Sequence, residues 1–311
     1  MTLRRRTPAL LVAVSILGAG RMLAAQPGSS VLTRAFGRSV VSVETSRAQP
    51  GGVFYVTVSR SRWASASTLL DGRRASLARD ANSLFGLIPV ALDTEPAEHK
   101  LSVLFPGRRG RGGSTSLNVP VRGLVRPGRL RLLSAEALAL ASTQTALGHG
   151  RFLLSALRTR DLKTYHSGPL RPPVDLPISF PFGGAENYGM VMGPVKDGLM
   201  GEQHRGVDYE VPPGTTVKAP GAGIIILARS LAFSGETVVI GHSNGLVSVL
   251  SHLSHVTVAE GDVVAEGAPV GASGQSGLGA LTPHLCFSAY LHSLNVDPVA
   301  LMDGSFWPGS R

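Results

Sequence analysis

Cysteine is almost missing. Cys286 is the single thiol in 311 residues, which excludes an internal disulfide framework and any multi-cysteine zinc or iron–sulfur cluster. Aromatic residues make up only 5% of the chain, and no basic stretch is interleaved with them, which argues against a nucleic-acid partner. Sustained helix-forming sequence is scarce as well. The 38 Gly and 21 Pro break helices and serve turns, so a helical bundle or coiled coil is a poor reading. After the N-terminal segment, no run reaches the roughly 18 apolar residues that cross a bilayer as a helix. Charged residues are only 16%, yet 43% of the chain is hydrophobic, and that apolar surface excludes intrinsic disorder. The composition points to a β-rich chain, and its length suggests two domains of roughly 150 residues each.

Residues 1–25 have the three-part layout of a secretory signal peptide. An arginine cluster (Arg4, Arg5, Arg6) precedes the apolar run Pro8–Gly20, and Leu23-Ala24-Ala25 ends in small residues. The run is too short to span a bilayer, and no cysteine follows it to carry a lipid. The mature chain is therefore expected outside the cytoplasm, in the periplasm or extracellular envelope, with no transmembrane segment. The formal net charge is +10, and four arginines of this segment (Arg21 is the fourth) account for part of it, leaving +6 after their removal. A modest basic excess suits a polyanionic partner such as an anionic cell wall.

Three composition zones follow. Residues 33–122 alternate with a two-residue period in runs such as VVSVETS, VFYVTVSR and STSLNVPVR, separated by Gln49-Pro50-Gly51-Gly52 and Asp71-Gly72. Short strands with regular punctuation predict a small antiparallel, Ig-like β-sandwich. The Arg108–Gly113 run reads as a solvated hairpin loop. Residues 123–173 change character: Ser134 caps an Ala/Leu-rich stretch, a second helical stretch runs over 151–165, and Pro169, Pro172 and Pro173 stop it. This zone is expected to be a helical connector between the two β domains. Residues 174–311 return to β-branched runs broken by Gly-rich turns, predicting an antiparallel β domain.

Most of the nine histidines lie in that last domain. His204 and Asp208 are four residues apart, a spacing that shares a face on either a helix or a strand, and the Val-Pro-Pro-Gly that follows favours strand. His284 and Cys286, two apart, share a face of a strand. Imidazole, carboxylate and thiolate all ligate Zn²⁺, and three protein ligands plus water form a catalytic site. His252, in Leu-Ser-His-Leu-Ser, is a further candidate for the same site. The other reading of Cys286 is a small residue buried on a strand without metal. His242, before the turn signal Ser-Asn-Gly, reads as structural.

The segments around these residues resemble the lysostaphin-type (LytM-like) zinc metalloendopeptidases that cut peptidoglycan cross-links. His204-Arg-Gly-Val-Asp208, Pro213-Gly-Thr-Thr-Val-Lys-Ala-Pro220, Gly241-His-Ser-Asn-Gly245, Ser251-His-Leu-Ser254 and Pro283-His-Leu-Cys-Phe287 occur in the family's order across roughly residues 175–301. The resemblance implies that His204 and Asp208 are the first two zinc ligands. It implies that His252 and His284 are the catalytic histidines, and that Cys286 stands where the family has a third ligand, normally histidine. The substrate it implies is peptidoglycan, the cofactor Zn²⁺, and possible envelope proteins are further partners.

Two functions are then in view. One is an exported zinc endopeptidase acting on peptidoglycan stem or cross-bridge peptides. The other is a catalytically weak or inactive relative that binds peptidoglycan or activates another cell-wall hydrolase. The cysteine bears on the choice, because a thiolate in place of an imidazole cancels the net positive charge of the metal centre and makes the ion less electrophilic.

Overall fold

The alternating apolar residues of the first zone build eight antiparallel strands: β1 (Val31–Phe36), β2 (Ser39–Glu44), β3 (Val53–Ser59), β4 (Ala66–Leu70), β5 (Arg73–Asp80), β6 (Ser83–Pro89), β7 (Glu98–Phe105) and β8 (Gly113–Pro120). The computed structural model describes residues 30–80, 82–107, 112–123, 127–133, 166, 168–190 and 201–304. The strands follow the order β1-β2-β3-β6-β5-β4-β7-β8. β5 joins two halves, pairing with β4 through Arg73–Leu77 and with β6 through Ala78–Asp80. Between the halves lies a core of Val41, Val43, Phe54, Val56, Leu101, Val103, Leu117 and Val119. These are the inward positions of a two-residue repeat, and burying them is the main favourable term for this unit.

β3 is apolar on both faces, and the packing shows why. Phe54, Val56 and Val58 face this first core. Val53 and Tyr55 face a second core, shared with Phe182, Val207, Tyr209, Leu285, Phe287 and Leu301 of the C-terminal unit. The two β units therefore pack directly on one another. The Tyr55 hydroxyl donates to the Ala300 carbonyl at 2.5 Å, Arg47 pairs with Asp303 at 2.8 Å, and the Asp297 amide donates to the Gly51 carbonyl at 2.7 Å. Burial, reinforced by the Asp303 charge, pushes the Tyr55 phenol above its ordinary range and keeps it a donor.

The zone expected to be a helical connector begins otherwise. Gly128–Leu133 is a strand, β9, paired in parallel with β10 (Ala185–Met190), which in turn pairs antiparallel with β11 (Gly201–Gln203). Its Arg-Leu-Arg-Leu alternation has a strand period, and neighbouring backbone at 185–190 satisfies its ladder. The two stretches expected to be helical, together with the leader and most of the Arg108–Gly113 loop, lie outside the described residues.

The C-terminal unit comprises β12 (Val207–Tyr209), β13 (Thr216–Lys218), β14 (Gly223–Leu231), β15 (Gly235–Ser243), β16 (Leu246–Val256), β17 (Val263–Val264), β18 (Pro269–Ser273), β19 (Leu285–Leu291) and β20 (Leu294–Val296), then a short helix, Pro298–Met302. Its central path is β12-β19-β16-β15-β14-β17, antiparallel throughout. Among the described residues no helix is long and apolar enough to cross a membrane.

Candidate metal centre

Strand register builds the site. Asp208 on β12 lies directly opposite Cys286 on β19, and directly opposed residues share a face. His204 is held just before β12, where its amide donates to the Gly184 carbonyl at 2.8 Å and its carbonyl accepts from Gly183 at 2.7 Å. The glycine between His204 and Asp208 is required by space. A Cβ on Gly206 would lie 2.7 Å from the Phe287 carbonyl oxygen and 2.9 Å from Cys286 Sγ.

His252 reaches the same face by a different device. Leu250 of β16 pairs with Val238 and Leu253 pairs with Glu236, so Ser251 and His252 share the space opposite Thr237. In this bulge His252 takes a left-handed backbone, φ 64°. Regular alternation would send Ser251 and His252 to opposite faces; a bulge turns the extra side chain. His284 lies just before β19, in an isolated bridge with Gly274, rather than on the strand that carries Cys286.

The donor atoms converge. The three ligand atoms of His204, Asp208 and Cys286 lie within 4.8 Å of one another. His204 Nε2 is 3.0 Å from Asp208 Oδ1 and 3.6 Å from Cys286 Sγ. A tetrahedral zinc with ordinary bond lengths has N···O and N···S edges of about 3.3 Å and about 3.6 Å, so the donor set fits that ion in chemistry and in size. The rings of His252 and His284 are 4.6 Å apart beside this group, and His284 Nε2 is 3.9 Å from Asp208 Oδ1.

Backbone carbonyls orient all three rings. Nδ1 of His204 faces the Pro181 carbonyl at 3.2 Å, that of His252 faces Ser276 at 2.8 Å and that of His284 faces Thr282 at 2.7 Å. A carbonyl can only accept, so Nδ1 carries the proton in each neutral ring and Nε2 presents its lone pair. Ser276 is itself fixed, its hydroxyl donating to the Leu253 carbonyl at 2.6 Å and accepting from the Glu236 amide at 2.8 Å.

Two side chains that no motif marked complete the surroundings. Arg129, from β9, donates from Nη2 to Asp208 Oδ2 at 2.6 Å, and its guanidinium lies 3.7 Å from the centre of the Phe180 ring. Phe180 in turn packs on His204, ring centres 5.3 Å apart. Burial alone would raise the Asp208 pKa. When the imidazoles are protonated, the His204 hydrogen bond and charge, then the His284 and Arg129 charges, outweigh it and hold the carboxyl well below the usual carboxylate range.

With this geometry in place, residues 202–298 match the model of peptidase family M23. The chain carries an M23 peptidase domain. Within it, 98 residues are 36% identical to the DD-carboxypeptidase/endopeptidase Mpg of Neisseria meningitidis, covering 32% of this chain and 22% of that one. A stretch of 82 residues is 37% identical to the peptidoglycan DD-endopeptidase ShyA of Vibrio cholerae, covering 26% of this chain and 19% of that one. The chain thus spans about a fifth of the length of these curated relatives. A crystal structure assigned to peptidase M23 from Pseudomonas aeruginosa superposes with a TM-score of 0.62 at 24% identity, over 83% of this chain and 96% of that one, which shows a common fold.

Three further polar residues of the M23 domain, Glu260, Asp262 and His242, make structural contacts. Glu260 pairs with Arg229, and Asp262 accepts from the Ala259 amide at 2.8 Å. His242 is fully buried on β15, with Nδ1 2.8 Å from the Ala222 carbonyl and Nε2 2.8 Å from Ser248 Oγ. It contacts Ala222, just before β14, and Ser248 on β16 rather than the turn that follows it. Burial drives its pKa from 6.5 down to about 4, the Ala222 carbonyl opposing and the neighbouring His166 assisting. Between those values the unfolded chain binds a proton that the folded chain refuses, so stability falls as pH drops through this window. The expected loss from His242 is about 3 kcal/mol between pH 7 and pH 4. Urea unfolding across that range checks it, and an equal pH slope in His242→Gln would contradict it.

Proposed function

We propose that this chain is an exported zinc-dependent endopeptidase that hydrolyses peptide bonds in peptidoglycan stem or cross-bridge peptides. The observation that carries the proposal is the convergence of His204, Asp208 and Cys286 on one point, with two backbone-oriented imidazoles alongside. An imidazole, a carboxylate and a thiolate suit zinc, and the ion, when bound, polarises a scissile carbonyl and acidifies a water. The protein's share is proton handling. Nε2 of His284 and of His252 would accept the proton of the attacking water and return one to the leaving amine, work worth typically 10²–10⁴-fold. The naming of Mpg and ShyA for endopeptidase activity supports the substrate class. The leader-like sequence and basic charge support a site of action at an anionic cell wall.

Beside His252 the site has an apolar border: Phe233 is 42% exposed, and a Cβ on Gly279 would lie 2.9 Å from its Cε1 and 3.1 Å from His252 Cε1. Such a border suits the short apolar side chains of a wall peptide lying extended along it. We also read the N-terminal strand order as an Ig-like sandwich.

The second function, a binding or activating relative without turnover, gains nothing from two buried histidines held in one tautomer. Metal analysis and muropeptide digestion with the purified mature protein test the choice. About one zinc per chain, activity lost to a chelator and restored by zinc, and Cys286→His turning over at least as fast as the wild type are expected. Cys286→Ala is expected to bind zinc more weakly. A protein that holds no zinc and cleaves no muropeptide, yet binds cell-wall sacculi, would be the binding relative.

A further inference from the structure

We propose that Arg129 is a positioning residue whose charge offsets the second anionic donor of the metal centre, Cys286. The inference rests on the zinc reading above. With a carboxylate and a thiolate among its ligands, a divalent ion loses its net positive charge; with two imidazoles and one carboxylate it would keep one. Arg129 returns a positive charge to the group from outside the ligand set.

The placement is specific. Asp208 divides its oxygens, Oδ1 towards His204 at 3.0 Å and Oδ2 towards the guanidinium at 2.6 Å. Its side chain is only 2% exposed, so neighbouring charges act on it with little screening. Arg129 is fixed at both ends: its backbone lies in the parallel ladder opposite Glu186, and its guanidinium is stacked on Phe180. A guanidinium drawing density from Asp208 Oδ2 weakens that carboxylate as a donor and restores electrophilicity that the thiolate removes. Arg129 lies outside the stretch that matches the family model.

The two roles open to such a residue differ in sign. A guanidinium near a cation repels it, so a charge-offsetting arginine can be removed without weakening zinc binding. A group that only orients Asp208 cannot. Arg129→Met should therefore lower kcat/KM by roughly 10–100-fold while zinc affinity, measured by chelator competition, stays level or rises. Arg129→Lys, which keeps the charge, should recover most of the activity. In the Cys286→His background, where the second anion is gone, Arg129→Met should cost less than about 3-fold, because effects on one shared charge are not additive.

Equal losses in the two backgrounds, or an Arg129→Lys protein as impaired as Arg129→Met, would overturn the proposal. If the wild type binds zinc but cleaves no muropeptide, the peptidase reading fails by itself. The affinity comparison then decides about Arg129: weaker zinc binding in Arg129→Met removes the charge-offsetting role, and level or tighter binding upholds it. Should Cys286→His not fold, the comparison of methionine with lysine at position 129 carries the decision alone.

Discussion

Asp208→Ala is expected to lose zinc and hydrolysis together, whereas His284→Ala is expected to lose hydrolysis and keep zinc. The distinction follows from where the atoms lie. Asp208 Oδ1 is the oxygen 3.0 Å from His204 Nε2, and the Asp208 side chain is one of three donors within 4.8 Å of one another. Without it, two neutral or singly charged donors remain, and Arg129 is left as an uncompensated cation beside the vacated position, which disfavours a second cation there. Loss of the metal's several kcal/mol of transition-state stabilisation corresponds to a fall of at least about 10³-fold in kcat/KM. His284 stands one step back, with Nε2 3.9 Å from the same oxygen. Its removal leaves the donors in place and should cost about 10²–10⁴-fold, the usual worth of a positioned proton-transfer group. Metal content of the two purified variants, measured with their turnover, checks the division. Retained zinc in Asp208→Ala, or metal loss in His284→Ala equal to that in Asp208→Ala, would reverse the roles assigned to these two residues.

The parts of this arrangement differ in how far the sequence discloses them. Strands β2, β7 and β8 announce themselves through two-residue alternation, because each has an inward and an outward face. The His204/Asp208 and His284/Cys286 spacings are local, but His204 and His284 sit just ahead of β12 and β19, so backbone contacts with Gly183, Gly184 and Gly274 also help to place them. Their meeting is not local: it depends on the register that sets Asp208 opposite Cys286, which only the assembled sheet provides. His252 is less legible again. Its motif marks it, but its approach depends on a bulge and a positive φ that no residue type at 251–253 signals. Arg129 could not be found by spacing at all. It is separated from Asp208 by 79 positions and sits in a segment whose Arg-Leu alternation reads as strand only when its parallel partner at 185–190 is known. The direct packing of the two β units had one visible trace, the doubly apolar run of β3, which suits a strand covered on both faces.

Gly51 is expected to be the position where a single methylated substitution damages both the junction between the units and the metal centre. Its φ is +78°, and a Cβ there would meet Phe182 Cε1 at 2.2 Å and Leu92 Cδ1 at 3.3 Å. Gly51 also accepts from the Asp297 amide at 2.7 Å and donates to the Val90 carbonyl at 3.1 Å, so its backbone cannot easily step aside. Left-handed strain of about 1–2 kcal/mol and overpacking of about 1–3 kcal/mol together give a loss of about 3 kcal/mol for Gly51→Val. Phe182, the side chain that must yield, is 2% exposed, and the next residue, Gly183, donates to the His204 carbonyl at 2.7 Å. Pressure on Phe182 should therefore reach the backbone that holds His204, a proposed metal donor. The variant should unfold at lower urea and bind zinc more weakly. The decisive comparison is with Phe182→Ala, which costs about 3–5 kcal/mol alone but removes the atoms that Gly51→Val strikes. The double variant should be less destabilised than the two single losses added together, by about 1 kcal/mol or more, because the residues are in contact. Additive losses would mean that the valine is resisted by backbone strain alone, and that the junction and the metal centre are not coupled through Phe182.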